Sequence, residues 1–271
     1  MKPERGETQR ALFIQAMVEA NGGVWPDLEQ LVGATYRAHI KPGDLVLDIG
    51  VNHGVHLLLL AQLVGAEGQV IGVEAVPAFA ERAQAQLRAN DLADRVVLHT
   101  CAVSHEAGAA EFFVTTLTDG GLSGLRLRPI ISNDPFEQIR VETKTIDMVL
   151  PPDRDVSFVK IDIEGGEYDA LRGSPRLLAR QPLIAFEFDG SAPGHFGYEA
   201  DDFFGLLLRA GYTVYDIFGF RVKSAAEMVN AVVWNFVAIP PGFDPASVMA
   251  PARRLLESQL PALAAFPRPA A

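Results

Sequence analysis

Two short segments of this chain carry the residue types that group-transfer chemistry needs. The first is Val46-Leu47-Asp48-Ile49-Gly50-Val51-Asn52-His53-Gly54, where an apolar run ends in an acid and a glycine-bearing loop. Glycines at such a place let a ligand approach backbone N–H groups closely. The spacing is not G-x-G-x-x-G, because Asn52 stands in the middle and Val55 follows Gly54. A polar, carboxylate-bearing loop suits a zwitterionic, cationic sulfonium ligand better than a pyrophosphate, with Asp48 bonding its amino group directly or through water. Glu74 is the acid that ends the next apolar run, where a carboxylate can accept both hydroxyls of a ribose. Cys101 and Ala102 follow the third run, placed to flank an adenine or offer it backbone bonds, and Ala75 beside Glu74 joins the candidate wall.

The second segment is Lys160-Ile161-Asp162-Ile163-Glu164-Gly165-Gly166-Glu167. Carboxylates gathered at a strand end serve acid–base work, hydroxyl binding or a divalent ion. Glu167 opens the following helix, where its charge favours the dipole. Candidate bases for a proton on an acceptor are His53, His56, Asp162, Glu164, Glu187, Asp189 and His195. Histidine titrates nearest neutrality, although a lone histidine more often packs or faces solvent. His195 falls in the loop Asp189–Tyr198, and His56 in the first turn of a helix. An oxygen pair such as Asp162 with Asp189 allows Mg²⁺ as a further cofactor. No Cys/His spacing suggests zinc.

These residues require a scaffold of alternating strands and helices. Leu45–Ile49 reads as a buried parallel strand, continuous rather than alternating, and Val70–Val73, Arg95–His99, Phe158–Ile163 and Leu183–Phe188 read as further strands. Val55–Val64, Ala78–Ala89, Glu167–Leu178 and Tyr198–Ala210 read as the helices between them, with Pro77 opening the second. Tyr212–Ile217 and Val232–Ile239 are expected as a terminal antiparallel hairpin. The expected fold is α/β, an open, mostly parallel sheet with helices on both faces and an antiparallel C-terminal strand. Residues 1–40 are expected to form helices that lie over it as a lid or packing segment. Leu12, Phe13, Ala16, Met17 and Ala20 recur at helical spacing, and a second helix is expected over Asp27–His39. Residues 41–240 form the binding domain, with 105–145 an insertion near the site that holds strands at Glu111–Thr116 and Ile139–Ile146. Residues 241–271 form an Ala- and Pro-rich tail with one helix at most.

Bulk properties narrow the partners. A net charge of −11 argues against a protein that tracks a phosphate backbone, so no nucleic-acid partner is expected. The single cysteine, Cys101, admits no internal disulfide, which fits a reducing cytoplasm. The first residues contain no apolar signal core, and no apolar stretch is long enough to span a bilayer.

Asp48-x-Gly50-x-Asn52-x-Gly54, Glu74 with Pro77, Gly121-Leu122-Ser123, Thr145-Ile146-Asp147, and Lys160 to Glu167 with Leu171-Arg172-Gly173 together resemble the FkbM family of methyltransferases. Pro182 and Glu187 fit the same pattern, and the resemblance spans about residues 44–190. It implies a class I methyltransferase fold, a Rossmann-like sheet of seven strands, with S-adenosyl-L-methionine as donor and O-methylation of sugars, glycans or natural products. It carries cofactor roles onto Asp48, Gly50, Asn52, Gly54, Glu74 and Asp162. His53, Ala75, Cys101, Ala102 and Ser123 complete the expected cofactor wall, and Asp162, Glu164, His195 and His56 are the expected catalytic set. The departure is His53-Gly54-Val55-His56, which puts two imidazoles where the family more often has small or aromatic residues. The expected partner is a small-molecule, sugar or glycan acceptor, and a homodimer is allowed. Other activities on this fold are N-methylation of a small molecule, a nicotinamide-dependent oxidation, and cofactor binding without catalysis. The first loop argues against the nicotinamide, and Asp162-Ile-Glu-Gly replaces the Asn-Pro-Pro-aromatic element of nucleic-acid and protein N-methyltransferases.

Overall fold

The computed structural model describes residues 5–115, 121–127 and 135–266. The chain opens with helices α1 (Arg5–Ala20) and α2 (Leu28–Arg37). Asn21-Gly22-Gly23 stops α1, and the Asp27 side chain caps α2 by accepting from Gln30 N at 3.2 Å. The α/β core then runs β1 (Leu45–Ile49), α3 (Val55–Leu63), β2 (Gln69–Glu74), α4 (Pro77–Ala89) and β3 (Val96–Thr100). An insertion follows, with β4 (Ala102–Val103), β5 (Gly108–Thr115), β6 (Phe136–Lys144) and the short α5 (Ile146–Val149). The core resumes with β7 (Phe158–Ile161), α6 (Glu167–Arg172), α7 (Pro175–Ala179), β8 (Leu183–Glu187), α8 (Ala192–Phe196), α9 (Ala200–Arg209) and β9 (Thr213–Asp216). It closes with β10 (Arg221–Val222), α10 (Ala225–Val229), β11 (Asn235–Ile239) and α11 (Pro245–Gln259).

The main sheet has the order β10, β9, β11, β8, β7, β1, β2, β3. β11 runs antiparallel to β8 and β9, and β10 antiparallel to β9; the other pairs are parallel. The order reverses between β1 and β7, and in open sheets that crevice at the strand carboxyl ends is where ligands bind. Side chains that alternate along each strand feed two cores. Val46, Phe158, Leu183, Ala185 and Val237 meet α1, α2, α3 and α11 on one face. Leu47, Val159, Ile161, Ile184 and Phe236 meet α6, α7, α9 and α10 on the other. Each fully buried Val, Leu, Ile or Phe side chain among them contributes about 1.5–3 kcal/mol of hydrophobic stabilisation. The long α11 packs on α2, so the two ends of the chain cover the same face.

The fold class is as read from the sequence, with four differences of detail. The sheet has eight strands rather than seven, because Asp216 Oδ1 accepts from Phe218 N and Phe220 N and turns the chain back so that β10 pairs with β9. The two segments expected as a terminal hairpin do pair antiparallel, β11 with β9, but β10 and α10 intervene in sequence and β11 lies between β9 and β8 in the sheet. The single helix expected over Glu167–Leu178 is broken into α6 and α7: Pro175 cannot continue the helical ladder, and a Cβ on Gly173 would lie 2.5 Å from the His105 backbone. The insertion folds as a separate three-stranded sheet in which β6 pairs with β5 antiparallel and β4 parallel. Thr116, expected in its first strand, lies outside the described residues. Among the described residues no helix is long and apolar enough to cross a membrane.

Candidate active site

A partly open cleft lies at the carboxyl ends of β1, β2, β3 and β7, under the insertion, where open α/β sheets bind their ligands. Of the residues read from the sequence, Gly50, Asn52, Glu74, Ala75, Cys101, Ala102, Ser123, Asp162 and Glu164 line it. The loop after β1 holds three left-handed residues, Gly50 at φ +89°, Asn52 at +49° and Gly54 at +79°. Gly50 is required for more than its φ, because a Cβ there would lie 1.9 Å from the Asp162 carbonyl oxygen. The two chemical loops therefore touch backbone to backbone across the β1–β7 pair.

Glu74 is nearly buried and already organised. Its Oε2 accepts from Asn52 N at 2.7 Å and its Oε1 from Val76 N at 2.8 Å. Burial raises its proton affinity, and these N–H donors lower it, with burial the stronger. Asn52 Oδ1 is buried without a hydrogen-bond partner, an acceptor left for a donor in the cavity. Cys101, Ala102 and Phe112 form an apolar slot beyond Glu74, and burial pushes the Cys101 thiol up to about 11.

At the other end stand the carboxylates. Asp162, Glu164 and Glu187 place ligand oxygens within 4.8 Å of one another. Lys160 Nζ, itself buried, donates to Asp162 Oδ2 at 2.8 Å. Burial alone would raise Asp162, but the Lys160 ammonium and hydrogen bonds from Glu187 and Lys160 bring it down to about 2. Glu187 moves the other way: burial, the Asp162 charge and its hydrogen bond to Asp162 raise it well above a normal glutamate. Glu164 sits at φ +61°, an unusual conformation for a side-chain-bearing residue. Glu167 holds that turn by accepting from Ile163 N at 2.9 Å and Gly165 N at 3.4 Å. Burial pushes Glu167 up to about 7, against the lowering effect of those donors.

Other expected residues are placed elsewhere. Asp48 is 1% exposed and does not line the cavity; it faces the α2–α3 side, directly across from Lys160 in the strand register. Gly54 caps α3, and His53 meets Arg82 Nη1 at 3.0 Å with its ring beside Phe79. His56 is a packing residue rather than an open base, with Nδ1 2.6 Å from the Tyr36 hydroxyl and Nε2 2.5 Å from Glu29 Oε2. His195 is not in a loop but in α8, exposed and outside the cavity wall. Asp189 accepts from Ser191 N and Oγ, and the carboxylate grouped with Asp162 is Glu187 instead. Phe79, Phe112 and Leu125 line the cavity without having been read from the sequence. Phe79 had a signal, an aromatic two residues past the helix-opening Pro77. Phe112 and Leu125 had none, since they reach the cavity only through the fold of the insertion.

A family model described as the methyltransferase FkbM domain matches residues 48–214. The crystal structure of a candidate rRNA methylase from Clostridium thermocellum is similar at 15% identity and a TM-score of 0.50, covering 81% of this chain and 99% of that one. A methyltransferase FkbM from Methylobacillus flagellatus KT is 16% identical with a TM-score of 0.45, over 83% of this chain and 58% of that one. A protein-L-isoaspartate O-methyltransferase from Ignicoccus hospitalis is 44% identical over 52 residues, which is 19% of this chain and 25% of that protein. The chain thus matches a quarter of the length of that curated relative.

Proposed function

The chain belongs to the FkbM methyltransferase family, and from that premise we propose that it moves a methyl group onto a hydroxyl of a sugar, glycan or natural product. Membership makes it an S-adenosylmethionine-dependent methyltransferase. The residues present fit that donor. Glu74 keeps lone pairs for the two ribose hydroxyls, the Cys101–Ala102–Phe112 slot suits an adenine, and the orphaned Asn52 Oδ1 suits an ammonium. When bound, S-adenosylmethionine supplies an electrophilic methyl on a sulfonium.

The observation that carries the hydroxyl assignment is the carboxylate edge of the cavity, Asp162 and Glu164, with Asp162 kept ionised by a buried lysine. A neutral hydroxyl must shed its proton as it attacks, so an acceptor oxygen needs a negative group beside it. These two side chains orient the hydroxyl, and positioning of this kind supplies much of the rate of a direct displacement. The turn that presents Glu164 is held by Glu167.

The test uses donor labelled with ¹³C in its methyl, a panel of glycosides, polyols and amines, and product assignment by NMR. A label on oxygen supports the assignment. A label on nitrogen or carbon, or none on any hydroxyl compound, overturns it.

A further inference from the structure

Lys160 stands between two acids on one face of the sheet. On one side it donates to Asp162 at 2.8 Å. On the other, Asp48 lies directly opposite it in the β1–β7 register. Asp48 is buried, and neither of its carboxylate oxygens has a hydrogen-bond partner. Such a buried, unsatisfied carboxylate is costly and calls for a counter-group. Lys160, the strongest positive influence on Asp48 among the described residues, already donates to Asp162. Glu187 brings a carboxylate oxygen within 4.8 Å of one on Asp162. Two buried carboxylates this close favour keeping one of them protonated, and burial together with the Asp162 charge raises Glu187 well above a normal glutamate.

We propose that Asp162, clamped between Lys160 and Glu187, is the group that takes the acceptor's proton, and that Asp48 is the alternate partner to which the Lys160 ammonium turns once Asp162 is neutral. Asp162 is then the catalytic residue, because it alone of the four lines the cavity. Lys160, Glu187 and Asp48 are positioning residues that act through it. The inference rests on the hydroxyl reading above.

The step balances as follows. The acceptor oxygen forms its bond to the methyl carbon while the carbon–sulfur bond breaks and its electron pair stays on sulfur. The acceptor O–H bond breaks, its pair stays on oxygen, and the proton passes to an Asp162 oxygen. The acceptor becomes acidic only as it is methylated, so a weakly basic carboxylate suffices. With Asp162 neutral, the Lys160 ammonium loses most of its attraction there and finds the bare Asp48 carboxylate. That shift retains the proton until product leaves. The other titratable groups facing this cluster are His56 from α3, Glu29 from α2 beyond it, and Glu164 and Glu167 from the turn after β7 and the start of α6.

Three variants test the inference, with calorimetry on S-adenosylhomocysteine and kcat against pH on the hydroxyl compound identified above. Lys160→Met brings an acid limb of kcat into the range above pH 5, where the parent protein shows none. Glu187→Ala lowers kcat at least tenfold, and Glu187→Gln, which still donates to Asp162, recovers part of that loss. Asp48→Asn lowers kcat at least tenfold while leaving S-adenosylhomocysteine affinity within threefold. Infrared spectra of the acceptor-free protein at pH 7 give a second readout, protonated-carboxyl absorption from which one component is lost in Glu187→Gln while that of Glu167 remains. The inference is overturned if Lys160→Met shows no acid limb, if Asp48→Asn loses affinity rather than rate, or if the infrared absorption loses no component. Asp48→Asn and Glu187→Gln are near-isosteric and keep the test open should Lys160→Met not fold. A failure to methylate any hydroxyl overturns the reading of function itself, and with it this step.

Discussion

Gly50→Ala isolates the contact on which the cavity is built. Two costs are expected there. An L-residue at φ +89° is strained by roughly 1–2 kcal/mol. The new Cβ would also sit 1.9 Å from the Asp162 carbonyl oxygen and 2.9 Å from its carbonyl carbon, with Ile163 Cγ2 at 3.1 Å. These are mostly backbone atoms of the neighbouring loop, so relief requires the two loops to part by roughly an ångström, beyond what local strain absorbs. A total near 3–4 kcal/mol is the order expected for a strained and overpacked site. For a chain of this size each kcal/mol lowers Tm by about 2–4 °C, which gives a fall of roughly 6–16 °C. S-Adenosylhomocysteine affinity should fall at least about tenfold, near 1.4 kcal/mol, since both loops wall the cavity. Gly43→Ala is the control: Gly43 has φ +94° and nothing within 4 Å of a built Cβ, so it bears the strain alone. Differential scanning calorimetry and titration calorimetry on both variants decide the matter. If Gly50→Ala melts within about 2 °C of Gly43→Ala and binds S-adenosylhomocysteine like the parent, the two loops do not define the site.

Other perturbations read separate parts of the account. Glu74→Gln should weaken S-adenosylhomocysteine roughly 10–100-fold by titration calorimetry, because a charged acceptor of two N–H groups becomes a neutral amide facing one of them; unchanged affinity would remove Glu74 from the donor site. Glu167 has its folded-state pKa raised to about 7, above the ordinary value of 4.5, so the stability it contributes is present below pH 4.5 and lost as pH rises through 7. The stability of Glu167→Gln relative to the parent should therefore climb by about 3 kcal/mol over that window in chemical denaturation, and a difference independent of pH would contradict this. His195→Ala should retain parental kcat, since that imidazole stands outside the cavity wall, and a tenfold loss would restore it to the mechanism. Activity should survive prolonged EDTA treatment, because Lys160 already faces Asp162 with a positive charge; loss restored by Mg²⁺ would show a metal in the carboxylate cluster.

What the sequence made legible was local and periodic. Leu45–Ile49 and Phe158–Ile161 are buried along their whole length, in keeping with runs that are apolar except for Asp48 and Lys160, and the residues that follow both emerge at the same edge of the sheet. Glu74 was readable for the same reason, as the residue at which an apolar strand ends. What was not legible depends on contacts between distant residues. His56 is fully engaged by Tyr36 and Glu29, 20 and 27 positions away, and nothing in its neighbours announces either partner. The place of Asp48 before the glycines suggests a cofactor ligand, but it lies inside β1, buried and opposite Lys160 in the register, short of the strand end where the cavity opens. The break between α6 and α7 is written in Gly173-Ser174-Pro175, although the apolar periodicity runs on through it. The slot residue Phe112 comes from an insertion whose pairing is long-range, and strand pairing of that kind leaves little local trace.

The central claim is that one cavity holds the methyl donor by Glu74 and Asn52 and turns its sulfur toward the carboxylate edge. A crystal structure with S-adenosylhomocysteine tests it most directly. The account predicts ribose hydroxyls on Glu74, the adenine beside Cys101 and Phe112, and the sulfur facing Asp162 and Glu164. A ligand bound elsewhere, or one whose sulfur points away from Asp162 and Glu164, would contradict it.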